Sequence, residues 1–146
     1  MEITFRPMRE QDAEVIISYK HGNDYVCFDS EKNQTDIDSL LSDPNVDIFV
    51  AISEEDEILG FAEVAFDEDD ILEMSGALLP EYTGMGLGCN FITECVNFLV
   101  EHYDYAGGAI RTLIQPGDRH AQKVLERVGF QLSETTEDWA EMQIEL

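Results

Sequence analysis

Gly84, Gly86 and Gly88 stand at alternate positions of P-E-Y-T-G-M-G-L-G, residues 80–88, directly before the apolar run F-I-T-E-C-V-N-F-L-V. Without Cβ atoms the backbone can turn sharply here and leave its amide N–H groups uncovered, at a point where the first four donors of a helix have no internal partner. A helix start also carries a partial positive charge. The combination suits a phosphate or pyrophosphate; the alternative is tight packing with no ligand. Cys89 and Asn90 follow the loop, so the Lys-Ser/Thr pair of a nucleotide-hydrolysing phosphate loop is absent.

Other reactive side chains are few. Cys27, Cys89 and Cys95 have no metal-like spacing and read as reduced thiols, with Cys95 on the apolar helix and Cys89 at its start. No metal site is expected. Neither Cys89 nor Cys95 has a histidine close in sequence, which argues against an acyl-carrying thiolate.

The elements that must position the loop follow from periodicity. Ile3 to Met8 alternates as a first strand, with Pro7 marking an edge or an end. Asp12 can cap a helix running to Tyr19, and Thr35 with Asp38 resembles a capping box for a short helix ended before Pro44. Val46 to Ser53 and Ile58 to Phe66 make a hairpin around S-E-E-D-E, and Ile71 to Leu79 returns after a second acidic turn at Asp67 to Asp70. Leu87 to His102 carries a broad apolar stripe, and Ala109 to Gln115 is the strand after it. Strand, helix and strand imply a right-handed crossover and a parallel pair. Asp118 can cap a helix through Ala121, Val124, Leu125 and Val128, ended by Gly129. Gln131 to Glu137 and Trp139 to Leu146 are the last strands. The order implies one α+β domain over residues 1–146, a mixed, mostly antiparallel sheet flanked by helices.

Length agrees with that: 146 residues, 44% hydrophobic, make one domain with a real core. No basic-plus-apolar leader and no run of eighteen apolar residues is present, so a signal peptide and a membrane span are not expected, and a cytoplasmic setting is. Thirty-two acidic residues against eight basic ones give a formal charge of -24. Phosphate backbones would be repelled, so nucleic acid is not an expected partner. The acid admits three readings: solvated turns, adaptation to a salty interior, or attraction of a cationic substrate or basic partner.

L-P-E-Y-T-G-M-G-L-G, the strand before it, the later D-R-H-A-Q-K-V-L-E-R-V-G-F and the order of elements together resemble the GCN5-related N-acetyltransferase (GNAT) family along nearly the whole chain. The resemblance implies acetyl-CoA as the cofactor. Its pyrophosphate would lie on the amides of Met85, Gly86, Leu87, Gly88 and Cys89, with Gly84 in the same loop and the pantetheine arm beside Leu78. The family's usual Arg or Gln in the loop is Thr83 here, which removes side-chain donors but not backbone ones. The arm adds to the sheet where strands splay, a place that Gly76 suits; strand packing explains that glycine equally well.

The family's frequent general-acid Tyr falls at Leu125, and the Asn that often opens that helix falls at Asp118, which can cap but cannot donate when ionised. Glu73 on the strand before the loop and His120 at the helix start are the two candidate bases, each also readable as a surface group without a role. The resemblance implies transfer of acetyl to a primary amine, small molecule or peptide and cationic in one reading, by direct attack. The alternative is a non-catalytic acidic acyl-CoA-binding or protein-interaction module on the same fold. The oligomeric state cannot be read.

Overall fold

The computed structural model describes residues 2–12, 15, 45–79, 82 and 86–146. Its elements are β1 (Ile3–Pro7), β2 (Asp47–Ser53), β3 (Ile58–Phe66), β4 (Leu72–Leu78), α1 (Gly88–His102), β5 (Ala109–Ile114), α2 (Arg119–Val128), β6 (Gln131–Thr135) and β7 (Ala140–Glu145). The seven strands form one sheet in the order β1-β2-β3-β4-β5-β7-β6. Every neighbouring pair is antiparallel except β4 and β5, which run parallel across the α1 crossover as the strand-helix-strand order requires. Among the described residues no helix is long and apolar enough to cross a membrane.

The near-continuous apolar run of β2 is explained by burial on both faces. Phe49 joins Ala62, Val64, Leu72 and Met74 beneath Cys95, Val96 and Leu99 of α1 and Ala121 and Leu125 of α2. Ile48, Val50 and Ile52 point the other way, with Phe61, Ala77 and Leu79. Because side chains alternate across a strand, the same seven residues serve two cores. Pro7 sits at the end of β1, an edge strand, where its missing N–H removes no ladder bond.

The expected cap at Asp12 is corrected. Residues 10–12 are already helical, and the Asp12 N–H donates to the Arg9 carbonyl at 3.0 Å. The Asp12 carboxylate reaches back to accept from the Arg9 N–H at 2.8 Å and grips Arg6 through two hydrogen bonds of 2.6 and 3.0 Å. It therefore works from the first turn backward, and the Arg6 guanidinium holds its carboxyl below the ordinary range. The helix expected to continue to Tyr19, the helix expected near Thr35, and Cys27 lie outside the described residues. The expected strand limits at Gln115, Glu137, Trp139 and Leu146 contract to the bounds above, since Thr136 and Trp139 instead close a turn, with the Thr136 N–H donating to the Trp139 carbonyl at 2.8 Å.

Candidate active site

β4 and β5 stay paired at only two positions, Leu72 with Ile110 and Glu73 with Arg111. Beyond them the strands no longer share a ladder, and a cavity of about 320 Å³ opens between Met74–Leu78 on one side and Thr112 and Ile114 on the other. Gly86, Gly88 and Cys89 at the start of α1 and His120, Val124, Leu125 and Arg127 of α2 complete its walls. A ligand arm entering here meets strand edges whose N–H and C=O groups are not taken up by a neighbouring strand.

Gly86 adopts φ +76°, and a Cβ added there would meet nothing within 4 Å. The loop thus turns through a conformation that glycine favours, with open space over it. Leu87 caps α1 without any side-chain hydrogen bond, and the first turn holds no acid. In a chain with 32 carboxylates that omission matters, because a helix start is where an acid is most stabilised. None of the described lining residues of the cavity is Asp or Glu. The donor set fits an anion, and the cavity fits an uncharged arm attached to it.

α2 is held against the loop. Asp118 accepts from the Ala121 N–H at 3.1 Å, Gly129 closes the other end with φ +125°, and a Cβ on Gly88 would stand 3.2 Å from Val124 Cγ1. The Cys89 thiol lies 3.8 Å from the Val124 carbonyl, to which it donates. Cys95 is fully buried, which pushes its thiol up to about 12 and makes it inert.

Of the expected site residues, Leu78, Gly86, Gly88, Cys89 and His120 line the one cavity, and Leu125 joins them. Leu87 is half-buried beside it as the cap residue, its carbonyl accepting from Phe91 at 2.8 Å. Asp118 is used in capping rather than in the wall. Thr83, Gly84 and Met85 lie outside the described residues. Gly76 does line the cavity, and its absent Cβ also makes room for the Phe61 carbonyl of β3, which a side chain would strike.

Glu73 is not among the residues of the wall. Its carboxylate receives the Nε of Arg111 at 3.2 Å, and the same guanidinium reaches Asp67 at 2.9 Å and Glu141 at 3.4 Å. Asp67 in turn accepts from the backbone N–H groups of Ile71 and Asp69, and these amides, chiefly that of Ile71, hold its carboxyl below the ordinary range. Three carboxylates converge on one arginine at the last paired position before the strands part. Sequence reasoning missed Arg111, Thr112 and Arg127. Thr112 is 5% exposed, and its hydroxyl has no hydrogen-bond partner among the described residues; a polar residue inside an otherwise apolar strand was the available signal.

The sequence model of the acetyltransferase (GNAT) family matches residues 14–130. A spermidine N-acetyltransferase from Vibrio cholerae, solved in complex with CoA and spermine, is 15% identical with a TM-score of 0.80 over 98% of this chain and 95% of that one. The aminoglycoside acetyltransferase AAC(6')-Ib, solved with coenzyme A and kanamycin, is 19% identical with a TM-score of 0.80 over 99% and 95%. The same protein solved with acetyl-CoA reaches 0.82 at 18% identity, over 99% and 94%. No curated protein sequence matches the chain. At these identities the solved structures establish likeness of fold, and the family match over most of the length establishes more: the chain belongs to the GNAT family of acetyltransferases.

Proposed function

We propose that the chain, as one domain over residues 1–146, moves an acetyl group from acetyl-CoA to a primary amine that is cationic, by direct attack with both substrates bound. The observation that carries this is the parting of β4 and β5 over a cavity whose described wall holds no acid, at the start of a helix with no side-chain cap. When bound, acetyl-CoA supplies the acyl group as a thioester. The N–H groups of Gly86 to Cys89 provide neutral donors for its phosphates, and Leu78 flanks the path of the arm. His120, the imidazole in the cavity wall, is the base that takes the amine's proton, directly or through water. Glu73 acts through Arg111 as a positioning residue that fixes where the strands separate. An acyl-thiol intermediate is disfavoured by the burial of Cys95 and by the engagement of Cys89 with Val124.

Leu125 cannot give a proton to the leaving thiolate. The buried hydroxyl of Thr112 is the nearest substitute in type within the same wall. A Leu125→Tyr variant, with its ring directed into the cavity, is expected to raise turnover about 100-fold by restoring a general acid. Turnover left unchanged, with the new hydroxyl seen beside the sulfur in a bound structure, would show that another donor already serves.

The acceptor reading rests on charge placement. The turn Glu54 to Glu57 is exposed and stands at the sheet end where β4 runs out, since Gly60 pairs with Leu78 and the Tyr82 hydroxyl donates to Glu57 at 2.7 Å. Acid is thus absent from the described residues of the cavity wall and dense at the end of the sheet where β4 leaves it, an arrangement that draws cations while admitting an anionic cofactor. The neighbours solved with spermine and with kanamycin carry polycationic amines in the same fold. The test is kcat/KM for a cationic and a neutral amine across a salt series, with melting temperature followed in parallel. Capture of the cationic amine should fall several-fold as salt shortens the screening length to about 8 Å, and that of the neutral amine should not. Equal salt dependence for both, with stability rising toward molar salt, would assign the acid to salt adaptation instead.

A further inference from the structure

Among the described residues the buried polar side chains are Asp12 and Thr112, and they differ in what surrounds them. The Asp12 carboxylate accepts two hydrogen bonds from Arg6 and one from the Arg9 N–H. The Thr112 hydroxyl has no partner among the described residues. A buried hydroxyl left without a partner destabilises the protein that carries it, and such groups are rare enough to require a reason. The position of Thr112 supplies one. It stands on β5 one residue past the Glu73–Arg111 pair, so Thr112 and Met74 are the first residues beyond the fork of the two strands. Side chains alternate along a strand, and Ile110 and Ile114 on either side of Thr112 lie with Met74 in the core under α1 and α2. Thr112 therefore faces that same side, where it lines the cavity. The other polar side chains of the described wall, those of Ser75, Cys89, His120 and Arg127, are half-buried or exposed. Thr112 is the buried one, and it is at the fork.

Phosphates held by the N–H groups of Gly86 to Cys89 leave the arm to run along the free edge of β4, which leads back from Leu78 to Met74 over about 13 Å. That edge ends at the fork. We infer that the thioester end of the arm reaches the fork and that Thr112 is a catalytic residue, its hydroxyl donating a hydrogen bond to the sulfur and stabilising the leaving thiolate. This rests on the acyl-CoA reading of the cavity. No proton needs to be supplied at the moment of cleavage. The C–N bond forms from the amine's lone pair, the C–S bond breaks with its electron pair going to sulfur, and the amine's proton goes to His120. The sulfur departs as a thiolate and takes a proton from water afterwards. The Thr112 hydroxyl keeps its own proton throughout and only shares it, so it eases the step without replacing the acid missing at Leu125. A donor fixed in an apolar wall stabilises developing charge more than the same donor does in water.

The test titrates the thiol of bound coenzyme A through the ultraviolet absorbance of its thiolate, in the unaltered protein, Thr112→Val and Thr112→Ser. The complex with desulfo-coenzyme A is the blank, which removes the signal of the protein's own thiols and tyrosines. Valine keeps the shape and loses the donor, and serine keeps the donor. A hydrogen bond to the charged form favours it, so the bound thiol should titrate about one unit below that of free coenzyme A. Thr112→Val should lose that shift and Thr112→Ser should keep most of it. Turnover with spermine or kanamycin should fall about tenfold in Thr112→Val with KM for acetyl-CoA nearly unchanged, and recover in Thr112→Ser. Ligand-free Thr112→Val should melt no earlier than the unaltered protein, because the hydroxyl it removes bonds to nothing there. A Thr112→Val variant whose bound thiol titrates as in the unaltered protein overturns the inference, and earlier melting of that variant would assign the hydroxyl to the fold instead. A bound thiol that titrates no lower than the free one in the unaltered protein also overturns it, whether or not the variants fold. Either result leaves the acyl-CoA reading standing, whereas binding of neither ligand to the folded protein overturns both.

Discussion

Gly86→Val is expected to lower the affinity for coenzyme A at least tenfold, about 1.4 kcal/mol. The branched side chain would project into the open space above the loop, where an added Cβ now meets nothing within 4 Å. It would also sit at φ +76°, at a strain cost of about 1–3 kcal/mol. Gly108→Val separates the two effects. Gly108 has φ +82°, equally open space and no part in the cavity wall. Both variants should melt earlier to a similar extent, and only the Gly86 variant should lose the ligand. Calorimetry on the folded proteins decides the matter: unchanged affinity at Gly86→Val would remove the anion from the start of α1.

The second large effect is on stability. Arg111→Ala leaves Asp67, Glu73 and Glu141 facing one another with no cation between them, at the last β4–β5 pair before the cavity. The loss is expected to be about 2–3 kcal/mol, below the 3–5 kcal/mol of a fully buried broken pair because the Arg111 side chain keeps 28% of its exposure. Adding Glu73→Gln and Glu141→Gln to Arg111→Ala should recover much of it by removing the repulsion, and a urea titration of the three proteins measures this. No recovery in the triple variant would mean that the guanidinium acts by packing rather than by charge. Loss of ligand affinity along with stability in Arg111→Ala would fit a role in setting where the strands part.

Much of the frame was legible because its causes are local. β3 runs over Ile58–Phe66 as its alternation predicts, α1 starts within one residue of the expected Leu87, and Asp118 and Gly129 cap α2 by the chemistry of their own side chains and backbone. What failed depended on partners that no local pattern pairs. An Asp before an apolar helix reads as a cap, yet Asp12 is drawn one turn inward by Arg6 on the neighbouring strand. Glu73 read as a candidate base, and its carboxylate is engaged by Arg111, 38 residues away, which no spacing rule connects to it. Of the residues that line the cavity, Gly86 and Gly88 could be singled out by type and spacing and His120 by its place at a helix start. The far wall was not, because Thr112, Ile114 and Arg127 become neighbours of the loop only when β5 diverges and α2 packs on Gly88.

The most direct measurement incubates the purified protein with acetyl-CoA and a panel of primary amines, polyamines and aminoglycosides among them, and follows acetylated amine by mass spectrometry. Initial rates are taken with both substrates varied. The account predicts many turnovers per protein with at least one cationic amine, intersecting double-reciprocal lines from attack within a ternary complex, and a rate at low acetyl-CoA that drops at least tenfold in Gly86→Val. Folded protein that binds coenzyme A by calorimetry yet acetylates no amine would contradict it, and would place the chain instead among non-catalytic acyl-CoA binders built on the same fold.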